Sequence, residues 1–269
     1  MTARSAAVAA ASRGWAIFPV RPGDKRPAVN RWEERACADP ETVGRWWPAE
    51  ANVGIACGPS RLLVIDLDCH ASLPPDWAAL PGVKDGRDVL AQLCEWSGQS
   101  WPGTHTVATP SGGWHLYYQA PDSVALRNTA GAIGPQIDTR ASGGYVLGAG
   151  SEVDGAEYET IDGRDPEPVP GWLLRLLAPM PAAPRPATTR SANAPARLAG
   201  LADHVRGGTP GDRTGRLVWA AHRLAEMIAD GTASPDDSRL LVEAAVHAGI
   251  RGGEQYARYQ VFHVIGATA

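Results

Sequence analysis

The feature that most constrains the fold is an apolar run, residues 62–68 (LLVIDLD), that ends in two acidic residues. Its aliphatic and β-branched side chains follow a turn-like GPS at residues 58–60, and this pattern predicts a buried β-strand. Side chains two residues apart in a strand point to the same face. The run therefore predicts that Asp66 and Asp68 lie side by side, while the alternate apolar residues face a core.

Two carboxylates this close are costly unless a positive charge lies between them. A hard divalent cation would balance them, because its preferred ligands are carboxylate oxygens. The alternative is a strand end at which Asp66 and Asp68 simply face water. The run by itself leaves both interpretations open.

The composition favours a globular protein and excludes several other classes. The 269 residues are 44% apolar and 20% charged, which is typical of a folded chain long enough for one large domain and one small one. The net charge of -4 argues against a surface that coats nucleic acid generally, but it allows a local basic groove. Without C-x-x-C spacing or a membrane-length apolar run, we expect a soluble protein of the reducing cytoplasm with no membrane partner.

Strands alternate with helices early in the chain and are followed by hairpins, which predicts a mixed α+β domain. A helix is expected over 86–96. Strands at 104–109 and 114–119 flank a PSGG turn and predict a hairpin. We also expect the segments 136–140 and 144–147 to pair with each other.

The composition changes near residue 178. Residues 178–196 are rich in Pro, Ala, Thr, Ser and Arg, which indicates a linker. Beyond it, helical spacing of apolar residues predicts three short helices. The predicted organisation is a catalytic domain over 1–177, a linker over 178–196 and a helical accessory domain over 197–269.

Two further polar positions interrupt apolar strands: His115, and Asp138 with Arg140 two residues later. A sheet could bring both to the face that carries Asp66 and Asp68. Three acidic side chains and two magnesium ions form the two-metal arrangement of phosphoryl transfer. His115 and Arg140 would then donate to triphosphate oxygens.

The turn at Ser111-Gly112-Gly113 could let backbone amides approach a phosphate. Plainer interpretations stay open for each of these signals. A histidine in a strand is often a satisfied structural residue. Asp138 with Arg140 could be a surface ion pair of small energetic value. The pairs Gly112-Gly113 and Gly143-Gly144 could be turns with no further role.

Taken in order, these motifs resemble the N-terminal primase-polymerase domain of the archaeo-eukaryotic primase superfamily. The resemblance is closest to the bifunctional DNA primase/polymerase proteins and covers about residues 5–177. Further matching stretches are GWAIFPV at 14–20, KRP at 25–27, NVGI at 52–55, LRNTAG at 126–131 and GGYV at 143–146.

The resemblance implies metal-ligand roles for Asp66, Asp68 and Asp138, with two Mg²⁺ or Mn²⁺ ions as cofactors. It also implies that the small residue Gly113 and His115 form a nucleotide-binding motif.

A substrate-phosphate role for Lys25, Arg127 and Arg140 agrees with the resemblance but is not fixed by its motifs. The implied fold is an RRM-like antiparallel sheet beside a smaller α/β unit, followed by a helical domain.

The resemblance implies a template-directed primase/polymerase whose partners are a single-stranded DNA template and nucleoside triphosphates. The chain contains no G-x-x-x-x-G-K-[ST] phosphate loop, so we expect a helicase on a separate protein. Two alternatives remain: a non-catalytic nucleic-acid-binding replication accessory, and a metal-dependent nuclease. The nuclease is less favoured because no lysine lies near the three acidic residues in the sequence.

Overall fold

The computed structural model describes residues 2–70, 72–97, 99–122, 124–177 and 194–267. The chain divides into two compact units. The first, here called the sheet unit, comprises residues 1–73 and 83–170, and the second, here called the helical unit, comprises 74–82 and 171–269. This division differs from the predicted segments in assigning 74–82 and 171–177 to the helical unit. Most of the predicted linker, residues 178–193, lies outside the described residues.

The elements confirm a mixed α+β protein, and the RRM-like core stays a prediction. The described strands are β1 (Ile17–Val20), β2 (Asn52–Ala56), β3 (Leu62–Leu67), β4 (His105–Ala108), β5 (Trp114–Gln119), β6 (Thr129–Gly134), β7 (Ile137–Arg140), β8 (Tyr145–Leu147), β9 (Glu152–Val153), β10 (Ala156–Glu157), β11 (Glu159–Asp162) and β12 (Glu167–Pro168). The described α-helices are α1 (Ala3–Ser12), α2 (Trp32–Arg35), α3 (Pro40–Trp46), α4 (Pro75–Ala78), α5 (Gly86–Ser97), α6 (Gly171–Leu177), α7 (Ala194–Arg206), α8 (Arg213–Ala229), α9 (Ser238–His247) and α10 (Gly253–Ala267). A 3₁₀ turn over Pro235–Asp237 precedes α9.

The largest sheet has the strand order β11-β4-β5-β3-β7-β6, and β12 adds a parallel pairing to β5. Strand β3 lies inside this sheet, with antiparallel neighbours β5 and β7 on its two sides. Its aliphatic residues are buried on both faces, which confirms the strand predicted from the LLVIDLD run. The predicted β4–β5 hairpin also forms, with His105 opposite Tyr117.

A second sheet of three antiparallel strands has the order β1-β2-β8. The predicted pairing of segments 136–140 and 144–147 is therefore wrong, because β8 pairs with β2 while β7 pairs with β3 and β6. The intervening turn contains Gly143 at φ 78° and a bond from Gly144 N–H to the Ala141 carbonyl. Beyond this turn the chain leaves the large sheet, and Val146 and Leu147 are buried in the core beneath the small sheet.

The two faces of the large sheet are covered differently. Val64 and Tyr117 belong to one apolar core with Phe18 and Ile55 of the small sheet, so the small sheet packs on their face. On the opposite face α5 packs against β6. A methyl group added to Gly134 would meet the side chains of α5 residues and of Ile137.

The helical unit, taken by itself, has an apolar core formed by α7 to α10. The prediction of three helices after the linker is wrong, because four lie within 194–267. The missed helix, α7, begins inside the predicted linker. Its first residues have a linker-like composition, but Leu198, Leu201, Ala202 and Val205 are buried at helical spacing, and this packing stabilises the helix. Within the described residues, no helix has the length and apolar character needed to cross a membrane.

Candidate active site

The pairing register of three neighbouring strands brings the predicted polar positions together. Asp66 on β3 lies opposite His115 on β5 and, on its other side, opposite Asp138 on β7. Directly opposed residues of antiparallel strands project to one face with Cβ atoms about 5 Å apart. Three segments that are distant in sequence therefore converge on the central strand.

His115 is the most buried of these side chains, at 6% exposure. Its Nε2 atom lies 3.4 Å from Asp66 Oδ1, and its ring lies against that of Tyr158, with centroids 5.7 Å apart. The other ring nitrogen, Nδ1, is buried and has no hydrogen-bond partner among the described residues. Because buried polar atoms are usually paired, this nitrogen is consistent with a site that another group completes.

Burial raises the pKa of Asp66, but the hydrogen bond and charge of His115, together with Arg140 and Lys25, lower it by more. The net effect is a pKa below the ordinary value, so Asp66 is ionised at neutral pH. Asp68 behaves in the opposite way. Burial raises its pKa, and the negative charges of Asp66 and Asp138 raise it further. The charge of His70 lowers the pKa of Asp68 without cancelling these effects.

Asp138 is held by two neighbours. Arg140 approaches its Oδ2 atom to 3.2 Å, and the Gly131 N–H donates to its Oδ1 atom at 3.2 Å. The ion pair between Asp138 and Arg140, which the sequence analysis kept as an alternative to a metal-binding role, is therefore present. Both partners are half-buried, and Arg140 also lines a neighbouring cavity.

This cavity has a volume of about 370 Å³. Four predicted site residues contribute to its lining: Lys25, Asp66, His115 and Arg140. Lys25 comes from the loop after β1, where its carbonyl accepts a hydrogen bond of 2.8 Å from the Tyr145 hydroxyl. The cavity therefore combines one carboxylate and one imidazole with two cationic side chains.

The remaining predicted residues are not part of this lining. Asp68 and Asp138 lie beside it, along and across the sheet from Asp66. Arg127 is exposed and forms an isolated bridge with Ser142.

Ser111 and Gly113 lie in the β4–β5 turn, where the Ser111 hydroxyl lies 3.0 Å from that of Thr109. Gly113 permits a close approach to β3, because a Cβ atom there would come within 2.4 Å of the Leu67 carbonyl oxygen.

Sequence reasoning missed several residues of the cavity, notably Asn128, Tyr145 and Tyr158. Asn128 and Tyr145 lie in the stretches LRNTAG and GGYV that carried the resemblance, but no motif gave them a role. Tyr158 gave no signal in the sequence. Its burial raises the pKa of its hydroxyl to about 12, so it lies beside His115 as a neutral group.

The family model for the N-terminal domain of bifunctional DNA primase/polymerases, Prim-Pol, matches residues 7–172. The chain belongs to this family. The match covers every predicted site residue and confirms the resemblance read from the sequence. No curated protein matches the chain.

Prim-Pol proteins generally use divalent metal ions, and the acidic residues of this chain suit such ions in part. Their carboxylate oxygens are the donors that Mg²⁺ and Mn²⁺ prefer, and the negative charges of Asp66 and Asp138 add to burial in raising the pKa of Asp68. However, among the described residues no three His, Cys, Asp or Glu side chains form a group arranged to hold a metal. The donor chemistry of this Prim-Pol domain fits a divalent cation. A cation bound by Asp138 would have to replace Arg140 as the partner of that carboxylate.

Proposed function

We propose that the protein is a template-directed DNA primase/polymerase that transfers nucleotidyl units from nucleoside triphosphates to a growing strand. The observation that carries this proposal is the position of Asp66, which lies opposite both His115 and Asp138 within a Prim-Pol domain. A single-stranded DNA template and nucleoside triphosphates are the partners that this activity requires. A separate helicase stays a prediction.

Asp66, Asp68 and Asp138 would hold two Mg²⁺ or Mn²⁺ ions. When bound, such ions lower the pKa of an attacking hydroxyl and neutralise the leaving pyrophosphate. The support for this assignment is the oxygen donor set and the negative charges of Asp66 and Asp138, which add to burial in raising the pKa of Asp68.

The other cavity residues would position the triphosphate. Lys25 and Arg140 supply positive charge beside Asp66, and His115 would donate a hydrogen bond to a phosphate oxygen. The contacts of His115 with Asp66 and Tyr158 hold its ring in one place, which reduces the entropy lost on binding. For Ser111, Gly113 and Arg127, nucleotide contact stays a prediction, because they lie outside the cavity lining.

Primer extension on a single-stranded template with Mg²⁺ or Mn²⁺ tests the proposal. We expect the double variant Asp66→Ala/Asp68→Ala to lose at least about a hundredfold in rate, because even indirect support of a metal site is worth about ten- to a hundredfold. A matched control is Glu157→Ala/Glu159→Ala, which removes two exposed acidic residues with the same spacing. Equal synthesis by the first variant and the wild type would remove the site assignment.

One observation favours a second candidate, a non-catalytic nucleic-acid-binding accessory: the side chains of the described residues form no three-ligand metal group. A protein that binds template but makes no product with either metal would support this candidate. Degradation of a labelled strand without added nucleotides would instead support a nuclease.

A further inference from the structure

Asn128 holds the turn that follows Arg140. Its Oδ1 atom accepts a hydrogen bond of 2.9 Å from the backbone N–H of Ala141. A backbone N–H can only donate, so the oxygen of the planar carboxamide must face Ala141. The NH₂ group of the same side chain therefore points away from this bond.

Gly144 makes this arrangement possible. A Cβ atom at position 144 would fall 2.2 Å from the oxygen and 2.9 Å from the nitrogen of the Asn128 carboxamide. No side chain fits in that space, so the carboxamide lies flat against the glycine. Asn128 and Gly144 both line the cavity that also contains Lys25 and Arg140.

The NH₂ group of Asn128 makes no hydrogen bond to any of the described residues, so both of its N–H bonds are available. A group that only donates, placed beside two cationic side chains, is suited to a ligand that only accepts. Phosphate oxygens have this character, whereas a sugar hydroxyl also needs an acceptor for its own proton.

We propose that Asn128 donates a hydrogen bond to a phosphate oxygen of the incoming nucleoside triphosphate while its oxygen fixes the turn after Arg140. This inference rests on the proposed function and adds a substrate-binding residue to the same cavity. Asn128 thus acts on the substrate directly and on Arg140 through the backbone of Ala141.

Calorimetric titration of the 269-residue protein with a non-hydrolysable nucleoside triphosphate and with tripolyphosphate, in Mg²⁺, tests the proposal. Asn128→Asp keeps an oxygen for Ala141 but replaces the donor with negative charge, so its melting temperature should stay near that of the wild type. We expect both ligands to bind at least about tenfold more weakly, because hydrogen bonds to charged groups are among the strongest. Asn128→Ala should lose both affinity and thermal stability.

Two further variants complete the design. Gln92→Glu makes the same amide-to-acid change on α5, outside the cavity lining, and should leave both affinities within about twofold of the wild type, as is usual for surface changes. Gly144→Ala should weaken both ligands, because its methyl group displaces the carboxamide. This variant tests the contact independently if Asn128→Asp folds poorly.

The outcomes separate the two proposals. A wild-type protein that binds neither ligand would contradict the proposed function itself. Normal binding of both ligands by Asn128→Asp or by Gly144→Ala would overturn the role of Asn128 alone. A loss confined to the nucleotide, with tripolyphosphate unaffected, would show that the donor faces the sugar or base and would overturn the phosphate assignment.

Discussion

The two faces of strand β3 differ in what they contribute to the protein. On one face Leu63, Ile65 and Leu67 are fully buried, on the side of the sheet that α5 covers. On the other face two buried apolar residues, Leu62 and Val64, are followed by Asp66, and Asp68 comes directly after the strand ends at Leu67. One strand therefore stabilises the fold with one set of alternate residues and carries the candidate site with the other.

The difference shows how a charged site can lie next to a core. The acidic face is only partly covered: the side chains of Asp66 and Asp68 are 18% and 30% exposed. Partial solvation, with His115, Arg140 and Lys25 nearby, reduces the cost of keeping these carboxylates charged. A carboxylate on the opposite face would have neither water nor a cation.

The largest expected effect is on the apolar face. Ile65→Ala removes fully buried methyl groups and should lower the free energy of unfolding by about 3 kcal/mol through lost burial and a cavity. Urea denaturation followed by circular dichroism measures this. The control Ile161→Ala, at a position 48% exposed, should change it by less than about 0.5 kcal/mol. A similar loss in both variants would contradict the division between the faces.

An intermediate effect is expected from the cation beside the acidic face. Arg140→Gln should raise the KM for nucleoside triphosphate about tenfold through loss of a charged hydrogen bond. The melting temperature should change little, because a half-exposed ion pair contributes at most about 1 kcal/mol.

Arg164 provides the control for this change, since it pairs at 2.9 Å with Asp162 at the same two-residue spacing but lies outside the cavity lining. Arg164→Gln should leave KM unchanged. Steady-state extension kinetics measures both variants, and an unchanged KM for Arg140→Gln would exclude it from substrate binding.

The smallest expected effect is electrostatic and has opposite signs at the two acidic positions. The pKa of Asp68 is raised from its ordinary 3.8, so stability falls as pH rises through the interval above that value and stays lower at neutral pH. Asp68→Asn should therefore stabilise the protein near neutral pH, by up to about 1 kcal/mol, and lose this advantage in acid.

The pKa of Asp66 is lowered, so its ionised form stabilises the fold above the ordinary pKa, and this contribution is lost as pH falls through the lowered value. Asp66→Asn should then destabilise the protein at neutral pH. Melting temperatures measured against pH in the presence of EDTA compare the two. Shifts in the same direction for both variants would contradict the electrostatic account of this face.

Local patterns predicted many elements because the interactions that define them are short-range. The side chain of Asp39 accepts from the Thr42 N–H at the start of α3, a contact between residues only three apart in the chain. The LLVIDLD run and the PSGG turn also identified β3 and the β4–β5 hairpin. Helix α7 was missed because its stability depends on packing against helices later in the chain. Strand β6 was missed although its partner β7 follows directly, because its small residues TAGAIG lack the β-branched and aromatic pattern typical of a strand.

The candidate site was predictable only in part. Asp66, His115 and Asp138 stood out because each is a polar residue in an apolar strand. Asn128 and Tyr158 did not, because Asn128 lies in a matching stretch to which no motif gave a role, and Tyr158 gave no signal in the sequence. They acquire their position from Gly144 and His115, which are remote along the chain.

The sequence by itself determined that the LLVIDLD run and the segments around the PSGG turn form strands, and which family the chain belongs to. Side-chain alternation and motif order are properties of the chain, and they need no partner. The tertiary structure alone decided that β8 leaves the large sheet, that Asp66 meets both His115 and Asp138, and that Arg127 lies outside the cavity. These outcomes depend on strand register and on the packing of one sheet upon another, where contacts between distant residues set the free energy.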